Sequence, residues 1–341
     1  MNKRTAYPDA MTAIGWRTAT RAALYGPDGF FVRRHSGPAD HFRTSVNASP
    51  LFATAVAGLV RRLDEALGRP RTFDLVDVGA GRGELLTALL RLLPADLTGR
   101  LRPVAVELAP RPDGLDPAVH WRADVPDTVT GLLIATEWLD NVPLDVVETD
   151  QDGRARKVLV DRHTGAETLG PPADPADEFW LRRWWPGPGR IEIGWPRDTA
   201  WADAVAAVRR GAALCVDYGH RRGDRPALGS LTGYRDGRQV PPVPDGTCDV
   251  TAHVAMDAVA VASGVAYRMI RQREALRALG VDGARPPLDL ARTDPGGYLR
   301  ALATAGAAGE LTDPAGLGGH WWLWHGIGVD VPLVPRGTMQ P

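Results

Sequence analysis

Lysine is scarce: Lys3 and Lys157 stand alone in a basic complement that is otherwise arginine. With the many Ala, Gly and Pro, this reads as the codon bias of a GC-rich genome, not as a phosphate-binding device. Cysteine is almost missing. Cys215 and Cys248 are too few for a disulfide framework or a structural zinc site, and Cys215, inside an apolar run, reads as a small core residue. Neither sign of charge prevails: 40 Lys+Arg against 41 Asp+Glu leave a formal net charge of −1. No global field therefore draws the chain to nucleic acid or to an anionic membrane. No run approaches the roughly 20 apolar residues of a membrane span. The N-terminal MNKRTAYPDAMTAIGW lacks the continuous apolar stretch of a signal peptide, so the cytoplasm is the expected compartment. No spacing of His, Cys and Asp suggests a metal site, and no internal repeat is visible.

What is present is a chain of 341 residues, 44% hydrophobic and 24% charged, long enough for one large α/β domain or a core with an insertion. Residues 10–24 and 51–67 read as helices, the second amphipathic. From Phe73 the pattern alternates. FDLVDVG, RPVAVEL (102–108), VHWRAD (119–124), GLLIATEWLD (131–140) and AALCVDYG (212–219) read as strands. ELLTALLRLL, stopped by Pro94, and TAWADAVAAVRR read as helices. Strands apolar throughout, separated by helices, predict a parallel sheet covered on both faces. Helices at 252–263, EALRALG and YLRALATAG and strands at 267–272 and 321–327 complete the pattern. Two stretches interrupt it. In 144–196, DVVETDQDGRARKVLVD predicts a hairpin around Asp152-Gly153, and WLRRWWPGPGRIEIGWP reads as aromatic β material. Residues 220–250 read as a long Gly/Pro-rich loop.

The stretch DVGAGRGELL places Gly79, Gly81 and Gly83 after a strand and before a helix, the context of a ligand turn at the carboxyl end of a sheet. The spacing is G-x-G-x-G, not the G-x-G-x-x-G of dinucleotide folds, and no G-K-[ST] follows to make a P-loop. Asp77, two residues before the first glycine, repels a diphosphate but suits a ligand bringing an amine. S-adenosylmethionine (SAM) carries an ammonium and a sulfonium and no phosphate. Glu107 ends the next strand, where a carboxylate can accept both ribose hydroxyls; Asp124 ends the following one and can take the adenine amino group. Each of Asp77 and Asp124 also reads as an ordinary helix cap. The Trp-rich runs WLRRWW and HWWLW suit strand packing better than base stacking, given the net charge.

GPDGFF, HFRTS, DVGAGRGELLTALLR, VELAP, TEWLDNVP, LCVDYGH, PDGTCDVTAHV and RQREALRALG occur in order over most of the chain. In this the sequence resembles the MidA-like family of SAM-dependent methyltransferases, which includes a protein arginine methyltransferase of mitochondrial complex I assembly. The DYGH and CDVTAHV pieces are the specific ones. The resemblance implies an α/β fold: a Rossmann-like class I methyltransferase sheet with helices on both faces, an N-terminal helical segment and an inserted substrate-side β-containing subdomain. It implies boundaries at 1–70 for the N-terminal segment, 71–143 and 197–335 for the core, and 144–196 for the insertion, with 220–250 over the site. The chain departs from the family at His41, Val46-Asn47, Ala53-Thr54 and Thr136, which bears on the methyl acceptor more than on SAM.

The implied cofactor is SAM, giving S-adenosylhomocysteine (SAH), with Thr44, Asp77, Gly79, Gly81, Gly83, Glu107 and Asp124 as cofactor-binding residues. Methyl transfer from a sulfonium is a one-step displacement, so alignment, exclusion of water and a destination for any departing proton are the protein's tasks. Glu137, at the fourth strand's end, is the first choice to position an acceptor, with Asp140 as a second carboxylate matching a guanidinium fork or as a helix cap. Asp217 binds substrate or orients Tyr218. His253 is catalytic or structural, and Asp249 is an N-cap candidate. Phe30, Phe31, Phe42 and Trp138 are cation–π candidates that read first as core. The expected partner is a methyl-acceptor protein, with a small molecule or an assembly role without turnover as alternatives. No nucleic acid, membrane or metal partner is expected, and a homodimer is left open.

Overall fold

A run of apolar residues with no alternation belongs to a strand covered on both faces, and all six residues of Phe73–Val78 are buried. The computed structural model describes residues 13–32, 44–331 and 333. Two compact units divide the chain. One comprises Met1–Phe42, Leu139–Trp201 and Gly219–Ala262; the other comprises Arg43–Trp138, Ala202–Tyr218 and Ser263–Pro341.

The second unit is built on a seven-stranded sheet. Its strands in chain order are β1 (Phe73–Val78), β2 (Leu101–Val106), β3 (His120–Arg122), β4 (Val129–Thr136), β5 (Val208–Asp217), β6 (Arg268–Arg271) and β7 (Trp321–Ile327). Across the sheet they run β6-β7-β5-β4-β1-β2-β3. The first five are mutually parallel, whereas β7 is antiparallel to both β5 and β6. The wholly parallel sheet read from the sequence is thus corrected at β7, the strand next to the β6 edge, because an apolar run reports burial and carries no strand direction. Strand order reverses between β1 and β4, the kind of switch point outside which open α/β sheets bind ligands. Helices Pro50–Ala66 and Glu84–Leu92 place Phe52, Leu59, Leu63, Leu85, Leu86 and Leu89 in one core with Leu132, Ile134, Leu214 and Trp322. Each fully buried side chain of this kind contributes about 2 kcal/mol by removal from water.

In the first unit, strands Ala13–Gly15, Ala155–Asp161, Val146–Thr149 and Arg190–Glu192 lie side by side in that order, with Glu167–Pro172 paired to Ala155–Asp161. The expected hairpin is present, with Thr149 opposite Ala155 across the Asp152-Gly153 turn. The helix expected from residue 10 is Trp16–Tyr25, and it packs Trp16 and Leu24 against Phe30, Val146, Val160 and Val250. Two expectations are corrected. The stretch WLRRWW, read as β, lies mostly in the helix Pro175–Trp184. Pro175 opens that helix, Asp177 and Glu178 occupy its first turn, and Arg182 and Arg183 its last, which overrides the strand preference of tryptophan. Residues 220–250, read as a loop, contain Thr232–Arg235 and Arg238–Val240, joined by Asp236-Gly237 with both φ angles positive. That two-residue Asp-Gly connection is the preferred tight hairpin turn. Asp249–Thr251 adds a third strand.

Candidate functional site

Register sets one edge of the seven-stranded sheet. Val78 pairs with both Val106 and Ala135, and Val216 pairs with Thr136. Asp77, Glu107, Glu137 and Asp217 are therefore brought to the same carboxyl edge. The glycine turn is anchored there, since the Gly79 N–H donates to the Val106 carbonyl at 2.9 Å. Gly79 and Gly83 need their glycine identity. Their φ angles are +73° and +81°, and a Cβ on Gly79 would stand 2.8 Å from Trp138, one on Gly83 2.8 Å from Leu115.

Carboxylates already occupy the amides of this turn. Gly81 N–H donates to Glu107 Oε2 at 3.0 Å and Arg82 N–H to Glu84 Oε2 at 2.8 Å. In a dinucleotide fold such amides face a pyrophosphate; here they face acids. Glu107 Oε1 also accepts from the N–H groups of Leu108 (2.7 Å) and Ala109 (3.1 Å). Asp77 is 3% exposed. Burial first, then the charges of Glu84 and Glu107, push its carboxyl well above the ordinary range. Burial also raises Glu107, against the pull of its three backbone donors. Three acids crowded in a poorly solvated place are relieved by a cation, and unused carboxylate lone pairs suit hydroxyl donors. The residues present therefore fit a ligand with a positive centre and a ribose. Asp124 differs from the rest: it is exposed, two residues past the end of β3.

Glu137 continues the ladder through its N–H to the Val216 carbonyl at 2.8 Å, then turns out of the sheet at φ +52°. A left-handed backbone at a residue bearing a Cβ costs on the order of 1–2 kcal/mol. Its Oε1 accepts the Ser45 N–H at 2.8 Å and lies 3.9 Å from His320 Nδ1. Thr44, read as a cofactor residue, caps the short helix Ser45–Ala48 by accepting from Asn47 N–H at 3.3 Å. The Ser45 hydroxyl is within hydrogen-bond distance of Gln272, whose Oε1 accepts from the Trp322 indole at 3.0 Å. Asp217 is fully buried and accepts the Tyr218 N–H at 2.9 Å.

Asp140 and His253 belong to the first unit. Asp140, in the turn Leu139–Asn141, is buried and accepts the Thr251 hydroxyl at 2.8 Å. Asp249, a cap candidate, instead sits in a strand, accepts from Asn141 Nδ2 at 2.7 Å, and is pushed upward by burial and by Asp140. His253 keeps much of its surface open to solvent. Partial burial lowers its pKa, Glu192 and Asp140 raise it, and Arg197 lowers it again. Phe30 is core, with Phe31 against it at 5.3 Å. Phe42 and His41 lie outside the described residues. Among the described residues no group of His, Cys, Asp or Glu is arranged to hold a metal ion, and no helix is long and apolar enough to cross a membrane.

Sequence reasoning gave no role to Ser45, Glu84, His320 or Arg197, and found His220 only as the end of the DYGH motif. Glu84 was findable as an acid in the first turn of the glycine-led helix. His220 closes the DYGH motif. Its Nδ1 is 2.7 Å from the Arg225 guanidinium, which also pairs with Asp257 at 2.7 Å. Since guanidinium only donates, the His220 proton sits on Nε2. Burial, then Arg225, His253 and Arg197, lower its pKa to about 3.

The profile of a family of S-adenosyl-L-methionine-dependent methyltransferases matches residues 55–270. A curated relative, the mitochondrial protein arginine methyltransferase NDUFAF7 of Xenopus tropicalis, is 26% identical over 77% of this chain and 71% of its own. A Burkholderia thailandensis crystal structure bound to S-adenosyl-homocysteine superposes with a TM-score of 0.76 at 26% identity, covering 94% of this chain and 90% of that one. A native structure from the same organism also gives 0.76 at 26% identity, covering 96% and 91%. With acids where the pyrophosphate of a dinucleotide would lie, and with this match over most of its length, the chain belongs to the S-adenosyl-L-methionine-dependent methyltransferases.

Proposed function

We propose that this methyltransferase transfers its methyl group to an arginine side chain of a protein. The observation carrying this reading is Glu137, a carboxylate held at the carboxyl edge of β4 by a strained backbone and by the Ser45 amide. A fixed carboxylate offers a guanidinium two parallel hydrogen bonds and holds its plane, so that one nitrogen lone pair is aimed. The arginine methyltransferase among the relatives supports the same acceptor.

SAM supplies an electrophilic methyl carbon on a sulfonium. The acceptor nitrogen forms the new N–C bond as the C–S electrons return to sulfur, leaving SAH with a neutral sulfur and a surplus proton on the methylated nitrogen, which passes to a base. In this proposal Glu137 positions the nitrogen, while Asp77, Gly79, Gly81, Gly83 and Glu107 hold the donor, with Thr44 supporting Ser45. Asp124 remains proposed for the adenine. Asp217 orients Tyr218, and Asp140 and His253 are proposed as further catalytic residues, His253 as a proton acceptor. The compartment proposed is the cytoplasm.

The test is incubation of methyl-labelled SAM with an extract from cells lacking this gene, followed by acid hydrolysis. Label is expected in methylarginine and absent with Glu137→Gln. Label in small metabolites alone would replace a protein acceptor by a small molecule. No transfer in either fraction, with SAH still bound, would favour an assembly role without turnover.

A further inference from the structure

Arg197 is 2% exposed and sits in the first turn of the helix Trp195–Ala206. Its guanidinium binds main-chain carbonyls from two separate stretches. Nε donates to Val142 O at 3.1 Å and one terminal nitrogen to Asp140 O. The other donates to Ala252 O at 2.8 Å and His253 O at 3.1 Å. Those stretches also join directly, through the Ala252 N–H to Asp140 O at 3.3 Å and the Thr251 hydroxyl to the Asp140 carboxylate at 2.8 Å.

We infer that Arg197 is a positioning residue for the acceptor-side groups of this unit, tying the backbone at Asp140 to the backbone at His253 so that carboxylate and imidazole are presented in one fixed relation. The inference rests on the proposed role of His253. Only arginine suits the place: five donors in a planar fork reach several carbonyls at once, whereas a lysine ammonium is a point charge with three donors. A buried carbonyl that loses its donor costs on the order of 1–3 kcal/mol, so substitution loosens both stretches.

The charge has a second consequence. The groups acting on His253 are Glu192 and Asp140, which favour its protonated form, and Arg197, which opposes them. The neighbouring His220, whose ring is 6.4 Å away, is held neutral by burial, Arg225, His253 and Arg197. Arg197 therefore helps keep His253 able to accept a proton, an effect moderated by the solvent open to its ring.

The test compares Arg197→Met with Arg197→Lys. SAH affinity is expected to stay within about twofold in both, as a check on folding, because the cofactor residues lie elsewhere in the chain. The Ala252 amide should exchange with solvent about tenfold faster or more in both. Histidine NMR should show the His253 pKa rising in Arg197→Met and staying low in Arg197→Lys. Label transfer in the extract should fall by on the order of 100-fold in Arg197→Met, with Arg197→Lys restoring little of it. Unchanged Ala252 exchange and His253 titration in Arg197→Met would overturn the inference. Should that variant fail to fold, Arg197→Lys decides alone: parental exchange and transfer would overturn it. Exchange and titration need no acceptor, so they separate this inference from the arginine reading.

Discussion

The Ser45 N–H donates to Glu137 Oε1 at 2.8 Å, linking residues 92 positions apart in the chain. Through this bond the N-terminus of a short helix holds the carboxylate at the end of β4, where the backbone has already turned left-handed. If Glu137 acts on the acceptor and not on the cofactor, the two functions come apart on mutation. Glu137→Gln is expected to lower transfer by about 100-fold or more while SAH affinity, by calorimetry, changes little. A parallel loss of SAH affinity would assign Glu137 to the cofactor.

The same backbone gives a stability test free of any assay for methyl transfer. Glu137→Ala keeps a Cβ at φ +52°, whereas Glu137→Gly relieves the strain. In urea unfolding, glycine is expected to exceed alanine in stability by about 1 kcal/mol, reversing their usual order. Alanine as the more stable variant would remove the strain from the account.

Gly79 is tested by space and conformation together. Gly79→Ala places a Cβ 2.8 Å from Trp138 on a backbone at φ +73°, so SAH affinity should fall by on the order of tenfold or more. Gly83→Ala meets only the outer carbons of Leu115, a flexible side chain, and should be the milder of the two. Equal affinities for both variants and the parent would show that the turn does not approach the ligand.

Asp77 should report the arrival of positive charge. Its raised pKa means the folded apo protein binds a proton that the unfolded chain releases near 3.8. Stability attached to this group is therefore present at low pH and lost as pH rises toward the folded pKa. Asp77→Asn should flatten that part of the profile. A cationic ligand draws the pKa down, so calorimetry in buffers of unlike ionisation enthalpy should show proton release, greater for SAM than for SAH. Release unchanged in Asp77→Asn would place its source elsewhere.

His220 gives the opposite slope. Its pKa is lowered to about 3, so the unfolded chain binds protons in a range where the folded one does not. Its stability is present above the ordinary value of 6.5 and lost as pH falls toward 3. His220→Asn keeps an acceptor for Arg225 and should flatten this acid limb. An identical acid limb in the variant would exclude His220 as its source.

Much of the sheet was legible because β1, β2, β4 and β5 are mostly apolar without strict alternation, and their acidic ends stand out. Strand direction was not, which is why the antiparallel β7 escaped. The helix Pro175–Trp184 escaped because its tryptophans suggested strand, although Asp174-Pro175 followed by two acids is a helix start. Asp77, Glu107 and Glu137 could be found because charge at a strand end is visible in sequence. Ser45 could not, since it acts through a backbone amide brought near by folding. Arg197 was hidden for the same reason, its partners being main-chain carbonyls that every residue carries.

A crystal structure with bound SAH tests the cofactor geometry most directly. The expected result is a ribose whose hydroxyls donate to Glu107 at about 2.7 Å, with the sulfur facing Glu137 beyond the glycine turn. Adenosine bound away from Glu107, or sulfur turned from the β4 edge, would contradict it.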